Sequence, residues 1–67
     1  MDVIKLIEDA IENERQAARA YQRGADMAED PETRTFFEQL AKWENEHERI
    51  LRDRLTTLKL IRGQKPG

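Results

Sequence analysis

The stretch from Pro31 to Arg62 contains no glycine and, after its first residue, no proline. Because glycine and proline are the residues that most often interrupt a helix, this stretch predicts one continuous helix from Pro31 to about Leu60. At about 1.5 Å per residue, that helix would be roughly 45 Å long. Residues at a spacing of three or four form a stripe along it, which is typical of a helix that buries one face. The stripe consists of Phe37, Leu40, Glu44, His47, Leu51, Leu55 and Leu58.

Two members of this stripe, Glu44 and His47, are polar. Burying a carboxylate or an imidazole costs free energy unless the group has a strong partner, and a metal ion is one such partner. Residues three apart lie one above the other on a helix, so both side chains can reach the same ion. An isolated Glu-x-x-His on a charged helix is usually a solvated pair. The position of this pair on the apolar stripe favours a metal site instead.

The first part of the chain predicts another amphipathic helix, over about residues 2–28, with Asp2 as its N-cap. Gly24 would cost this helix about 1 kcal/mol relative to alanine. Its apolar face contains two columns of residues seven apart, and a third column of mostly small residues lies beside them. The columns are Ile4, Ile11, Ala18 and Ala25; Ile7, Glu14, Tyr21 and Ala28; and Val3, Ala10, Ala17 and Gly24.

The only clear break between the two helices is a turn at about residues 29–30. Asp30 suits the N-cap of the second helix, and Pro31 suits its first position. So short a connection requires the two helices to lie antiparallel. Residues 1–62 are therefore predicted to form one helical hairpin, and residues 63–67 a flexible tail.

The short turn also predicts the register of the hairpin. With the turn centred on residue 29, facing residues have numbers that sum to about 58. Glu14 then lies level with Glu44, Tyr21 lies level with Phe37, and His47 lies about one turn beyond Glu44. Three residues of the types that bind metals therefore meet at one height, although they come from distant parts of the sequence.

One hairpin offers too few ligands to hold a pair of metal ions. Two hairpins related by a two-fold axis offer four glutamates and two histidines, which is the ligand set of ferritin-like di-iron and di-manganese bundles. A further apolar column of Phe36, Trp43 and Ile50 fits dimerisation, or an additional contact in a larger ring. The predicted fold is therefore an all-α, antiparallel two-helix hairpin that dimerises into a ferritin-like four-helix bundle.

The composition supports this assembly and excludes some classes of binding partner. Charged residues make up 39% of the 67 residues and hydrophobic residues 37%, so a single copy buries little apolar surface. A net charge of −2 without a basic cluster argues against nucleic acids and acidic membrane surfaces as partners. We find no transmembrane-length apolar run, no signal-peptide pattern and no cysteine, and we therefore expect a soluble, cytoplasmic protein.

Four segments together resemble half of a rubrerythrin-type ferritin-like domain: residues 14–21, Asp30-Pro31, residues 37–41 and residues 44–47. The interval of thirty residues between Glu14 and Glu44 is similar to that of encapsulated ferritins, whose two-helix chains build a ferroxidase centre between subunits. The resemblance covers about residues 6–58. It implies that Glu14, Glu44 and His47 are iron ligands and catalytic residues, that Glu44 bridges the two ions, and that Tyr21 neighbours the ligands.

The same resemblance implies a di-iron ferroxidase with two iron ions per dimer, acting in iron oxidation, storage or peroxide detoxification, with manganese or zinc as alternative metals. It also implies a homodimer or larger homo-oligomer, an encapsulating shell protein as a candidate partner, and a nanocompartment as a candidate location. Rubrerythrins proper carry four long helices, and often a cysteine-ligated iron domain, in one chain. Asn13 and Gln16 stand here where encapsulated ferritins tend to have carboxylates that guard iron entry.

A structural role is the alternative to the oxidase function. In it, the hairpin is a dimerisation module whose polar residues determine the register or hold an inert ion such as zinc. Under either interpretation, Glu46 and Glu48 are expected to point to solvent, where Glu48 could help to attract cations. Glu8, Glu12, Arg15 and Arg19 are expected to form a solvated, salt-bridged face.

Overall fold

The computed structural model describes residues 2–63, which form two long helices packed against each other as an antiparallel hairpin. Helix α1 is Val3–Met27 and helix α2 is Pro31–Gly63. Within residues 2–63 there is no strand, so the all-α hairpin is confirmed. Gly63, predicted to begin the tail, is the last residue of α2, and the rest of the predicted tail lies outside the described residues.

Both helices begin at an aspartate that caps the free amides of the first turn. Asp2 Oδ1 accepts a hydrogen bond from the Ile4 amide at 3.0 Å, and Asp30 Oδ2 accepts one from the Thr33 amide at 2.8 Å. These bonds satisfy backbone donors that have no partner within the helix. The hydrogen bond from Thr33 also holds the pKa of Asp30 below its usual value. The aspartates therefore define the two helix starts.

Helix α2 continues three residues beyond the predicted end at Leu60. Its last turns are held against the start of α1 by two ion pairs between the helices. Arg62 Nη1 lies 3.1 Å from Asp2 Oδ1, and Lys59 Nζ lies 3.6 Å from Glu8 Oε2. Both contacts lie beyond Leu58, the last residue of the apolar stripe.

Gly24 lies within α1 because the aromatic ring of Phe37 packs directly against its backbone. A Cβ atom at Gly24 would lie 2.8 Å from Cγ of Phe37, which is too close for two carbon atoms. The ring of Tyr21 stacks on the same phenylalanine, with 6.5 Å between the ring centroids. Tyr21 and Phe37 are therefore level with each other, as the register predicted.

The hairpin has very little interior. Among residues 2–63, the buried hydrophobic residues are Ile11, Ala25 and Ala41, and none of them is aromatic. Because the molecule is a rod of 56 × 17 × 15 Å, most side chains of its apolar stripes keep one side open. Neither α1 nor α2 is apolar enough over a sufficient length to cross a membrane.

Candidate metal centre

Glu14 of α1 meets Glu44 and His47 of α2 about halfway along the hairpin. His47 Nδ1 lies 3.0 Å from Glu14 Oε2 and 3.1 Å from Glu44 Oε1. One candidate ligand atom from each of the three side chains lies within 4.8 Å of the other two. In the part of the chain that the structure describes, no other group of three or more His, Cys, Asp or Glu residues converges in this way.

Helix geometry explains why these residues meet. The spacing of three residues places Glu44 and His47 one turn apart on the same face of α2. The antiparallel packing of α1 then brings Glu14 to the same height. The three side chains project from the middle of long helices and not from loops. Their backbone positions are therefore held rigidly, which suits a site of defined geometry.

The two carboxylates of this cluster are mostly shielded from solvent. The side chain of Glu14 is 23% exposed and that of Glu44 is 17% exposed, whereas that of His47 is 56% exposed. Within residues 2–63, no lysine or arginine forms an ion pair with either glutamate. Half-buried carboxylates normally have a cationic partner, because an uncompensated charge away from water is costly. In the described part of the chain, the basic side chain that pairs with them is His47, whose charge depends on pH.

The proton affinities of the cluster reflect this shortage of positive charge. Loss of water around Glu14 raises its pKa above 4.5; the hydrogen bond and negative charge of Glu44 act in the same direction, and His47 partly opposes them. The hydrogen bond to Glu44 raises the pKa of His47 above 6.5, and the charge of Glu14 adds to this effect. A hydrogen on His47 Nδ1 thus bonds the carboxylates of the metal-free protein. A cation must displace it to use the same nitrogen as a ligand.

Glu48 corrects one of the expectations from sequence. It was expected to point to solvent, but its side chain is only 20% exposed and accepts a hydrogen bond from Arg52 Nε at 2.7 Å. A sequence signal for this arrangement exists, because Glu48 follows Glu44 by one helical turn and Arg52 follows Glu48 by another. Glu46, by contrast, is exposed and pairs with Arg49.

The expected salt-bridged face of α1 forms only in part. Arg15 lies 3.8 Å from Glu12, whereas Glu8 pairs across the hairpin with Lys59. Gln16, which the resemblance aligns with a carboxylate of encapsulated ferritins, is exposed and donates to Glu12 at 3.2 Å.

Tyr21 is not part of the cluster within one hairpin. It lies seven residues after Glu14, about two helical turns or 10 Å along α1, and its ring packs against Phe37. None of the hydrogen bonds among residues 2–63 joins its hydroxyl to Glu14, Glu44 or His47. A role for Tyr21 beside the ligands remains a prediction for the assembled protein.

The donor set of the cluster fits a divalent transition metal. Two carboxylates and one imidazole are ligands that suit iron, manganese and zinc. Three ligand atoms are fewer than the four to six such ions take, so one hairpin supplies a partial site. The missing ligands must come from solvent, from a substrate or from a second chain.

The fold and this cluster together are typical of a ferritin-like protein of the di-iron type. The rubrerythrin family model matches residues 1–55, which is most of the chain, and the protein therefore belongs to the rubrerythrin family. Members of this family typically bind iron. No curated protein and no solved structure gives a significant match.

Proposed function

We propose that two copies of this chain assemble a di-iron centre that oxidises Fe(II). The observation that carries this proposal is the pair of shielded glutamates, Glu14 and Glu44, whose only ion-pair partner among residues 2–63 is His47. A dimer would contain four such carboxylates close together. Two divalent cations would neutralise them, and this gives the metal-free arrangement an electrostatic reason to bind metal.

Each chain would contribute the same three ligands, so that the dimer holds two iron ions, one per chain. Glu44 has the lowest exposure of the three and lies beside both other ligands, which supports its assignment as the residue that bridges the ions. Glu14 and His47 would each bind one ion from the side. Oxygen ligands favour ferric iron, while the neutral imidazole is a suitable ligand for the ferrous form.

In this function, iron is the substrate and is consumed by oxidation. Each of two Fe(II) ions loses one electron, and dioxygen that accepts both electrons and two protons leaves as hydrogen peroxide. With peroxide as the oxidant, the same two electrons and two protons convert it to two molecules of water. The carboxylates hold the two ions side by side, so that both electrons are delivered to one oxidant molecule. Manganese and zinc fit the same donors and are the alternatives to iron.

Larger assemblies and an enclosing shell protein belong to this proposal only through the resemblance to encapsulated ferritins. A shell would give oxidised iron a space in which to mineralise, which the rod-shaped hairpin itself does not provide. The oxidation step does not depend on the shell, and it can be tested on the isolated protein.

The test compares Glu44→Ala with Glu48→Ala, two changes one helical turn apart at similarly shielded positions. Fe(II) is added to each protein in air, and the ferric absorbance is followed over time against a protein-free control. We expect Glu44→Ala to fall to the rate of the control, because the bridging carboxylate is lost. We expect Glu48→Ala to retain most of the parent rate, because Glu48 is already neutralised by Arg52.

If Glu44→Ala oxidises iron as fast as the parent, the ferroxidase assignment is wrong. A parent protein that binds zinc or iron without oxidising Fe(II) above the control would support the structural module with an inert ion. A metal analysis of the parent protein purified without chelators would show whether it holds such an ion.

A further inference from the structure

The side of α2 that packs against α1 carries a second shielded glutamate next to the metal cluster. Shielded positions recur along α2 at alternating spacings of three and four residues, and Ala41, Glu44 and Glu48 are consecutive members of this series. The side chain of Glu48 is 20% exposed, against 17% for Glu44. Residues four apart are neighbours on a helix, with about 5 to 6 Å between their Cβ atoms, and such pairs can bind one ion together. The spacing therefore allows the carboxylate of Glu48 to reach an ion that Glu44 binds.

In the hairpin, however, the carboxylate of Glu48 is held by Arg52. Arg52 Nε donates a hydrogen bond to Glu48 Oε2 at 2.7 Å. Arg52 follows Glu48 by four residues and Glu44 precedes it by four, so Arg52 and the cluster lie in opposite directions along α2. Among residues 2–63, the ligand atoms that converge belong to Glu14, Glu44 and His47. Because hydrogen bonds between two charged groups are among the strongest in proteins, Arg52 competes with any ion for this carboxylate.

The charges of the cluster match a divalent ion. Glu14 and Glu44 carry two negative charges, and a histidine that binds a metal is neutral. One divalent ion per chain balances these charges, while Glu48 and Arg52 balance each other. A trivalent ion in the same place would leave one positive charge uncompensated beside shielded side chains, which costs free energy. This count applies to each chain, whether the chain is alone or in an assembly.

Release of Glu48 from Arg52 would change which ion is balanced. With three carboxylates in reach, a trivalent ion is neutralised, whereas a divalent ion would leave one negative charge uncompensated. Glu48 would therefore turn towards a trivalent ion and remain in solvent beside a divalent one. The affinity of oxygen ligands for hard cations varies over several orders of magnitude with the number of ligand charges. Loss of Arg52 should thus strengthen the binding of trivalent ions and leave that of divalent ions almost unchanged.

We propose that Arg52 is a positioning residue that determines the charge of the ion that the centre retains. By holding Glu48, it keeps the cluster suited to divalent ions, so that Fe(II) is bound and Fe(III) is released. The identity of the ion rests on the proposed function, in which oxidation raises the charge of each iron from two to three. Release of the ferric product frees the carboxylates for the next Fe(II) ions. The preference for divalent over trivalent ions needs no oxidation and can be measured by itself.

Titrations of the intact protein with Co(II) and with Tb(III) test this preference without iron. Tb(III) binding is followed by its luminescence on excitation of Trp43, which precedes His47 by one helical turn, and Co(II) binding by its visible absorbance. We expect Arg52→Ala to bind Tb(III) about ten-fold or more tightly than the parent, because a third carboxylate becomes free to bind. Its affinity for Co(II) should remain within a few-fold of that of the parent.

Three further variants separate the role of Arg52 from a general change in charge. Arg52→Lys keeps a cation at the same spacing and should keep the preference of the parent. Arg52→Ala combined with Glu48→Gln should return the Tb(III) affinity to within about two-fold of the parent, because the released carboxylate is also removed. Arg49→Ala removes the same charge from an exposed position, where Arg49 pairs with Glu46 and Asp53, and should change the Tb(III) affinity by about two-fold or less. Circular dichroism shows whether each variant keeps its helices, and Arg52→Gln replaces Arg52→Ala if the latter unfolds.

Equal Tb(III) affinity in Arg52→Ala and the parent would overturn the proposal. A gain that persists in the double variant would overturn it as well, because the gain would then not come from Glu48. A parent that binds neither ion would remove both this proposal and the proposed function. A parent that prefers Co(II) through Arg52 but does not oxidise Fe(II) would leave the role of Arg52 standing and remove the ferroxidase.

Iron itself provides the final measurement if the parent oxidises Fe(II). After oxidation in air, each protein is passed through a gel-filtration column and its bound iron is measured. We expect Arg52→Ala to keep its ferric ions through the column, whereas the parent and the double variant should lose most of theirs. A parent that retains ferric iron as firmly as Arg52→Ala would show that Arg52 does not control product release.

Discussion

Glu44 and Glu48 lie one helical turn apart on the same side of α2 and are almost equally shielded from solvent, yet they have different partners. Glu48 is held by Arg52 at 2.7 Å, whereas Glu44 lies 3.1 Å from His47 and close to a second carboxylate, Glu14. A guanidinium is always protonated and has no lone pair to offer a metal. An imidazole can lose its proton and become a ligand.

This difference separates a structural ion pair from a candidate reactive centre. At Glu48, negative charge is balanced permanently within one helix. At Glu14 and Glu44, the two negative charges are offset only in part, and only while His47 is protonated; a metal ion can replace that positive charge when the proton leaves. Burial alone would not have distinguished the two glutamates, because the identity of the partner decides which one can bind a cation.

The largest effect that we expect is on metal affinity. His47→Ala removes one of three ligands and should weaken Co(II) or Fe(II) binding by more than about 100-fold, since losing even a supporting contact of a ligand costs about 10- to 100-fold. Titration of the parent should saturate at one ion per chain, or two per dimer.

Arg52→Ala is the matched control for this loss, because it removes the cationic partner of Glu48 and no ligand. Its metal affinity should remain within a few-fold of that of the parent. Saturation of the parent at one ion per two chains, or unchanged binding by His47→Ala, would contradict the ligand assignment.

A smaller effect is expected on the stability of the metal-free protein. Glu44→Gln removes one of two adjacent negative charges from a shielded position, so we expect the free energy of unfolding to stay equal or to rise by about 1 kcal/mol. Glu48→Gln breaks a partly exposed ion pair and should lower the free energy of unfolding by a few tenths of a kcal/mol. Urea denaturation in the presence of a chelator measures both. A marked loss of stability in Glu44→Gln would show that Glu44 supports the fold.

The smallest effect concerns pH. The pKa values of Glu14 and His47 are both raised in the folded chain, so both groups bind protons more tightly in the folded state than in the unfolded state. Their contribution to stability is complete below the unfolded values, and it is lost as pH rises through the raised folded values. We therefore expect the melting temperature of the metal-free protein to fall as pH rises above the ordinary pKa values of the two groups, about 4.5 for Glu14 and about 6.5 for His47.

Metal binding should show the opposite trend over the same interval, because its ligands must be deprotonated. The metal-loaded protein should therefore gain stability over the metal-free protein as pH rises. His47→Gln should flatten the decrease in the metal-free protein, while Glu48→Gln should leave it unchanged. A metal-free melting temperature that rises with pH across this interval would show that the cluster does not control the pH dependence.

The meeting of Glu14, Glu44 and His47 could be predicted from the sequence because it depends on regular geometry. A stripe at helical spacing shows which face of each helix is buried, and a turn around Asp30 and Pro31 is too short for any arrangement other than antiparallel. Together they determine which residues lie level with one another. The resemblance to the rubrerythrin family added the interpretation of these residues as iron ligands; the family match confirms the family, and the ligand assignment stays a prediction.

What only the tertiary structure decided depends on individual side chains from different parts of the chain. Periodicity marks Gly24 as a weak point of α1, but the structure shows that the ring of Phe37 occupies the space where its side chain would be. Likewise, the structure shows that α2 extends to Gly63, with Arg62 paired to Asp2 sixty residues earlier, and that the shielded Glu48 pairs with Arg52. Helical spacing shows which partners each residue can reach. The packing of the two helices determines which of those partners it contacts.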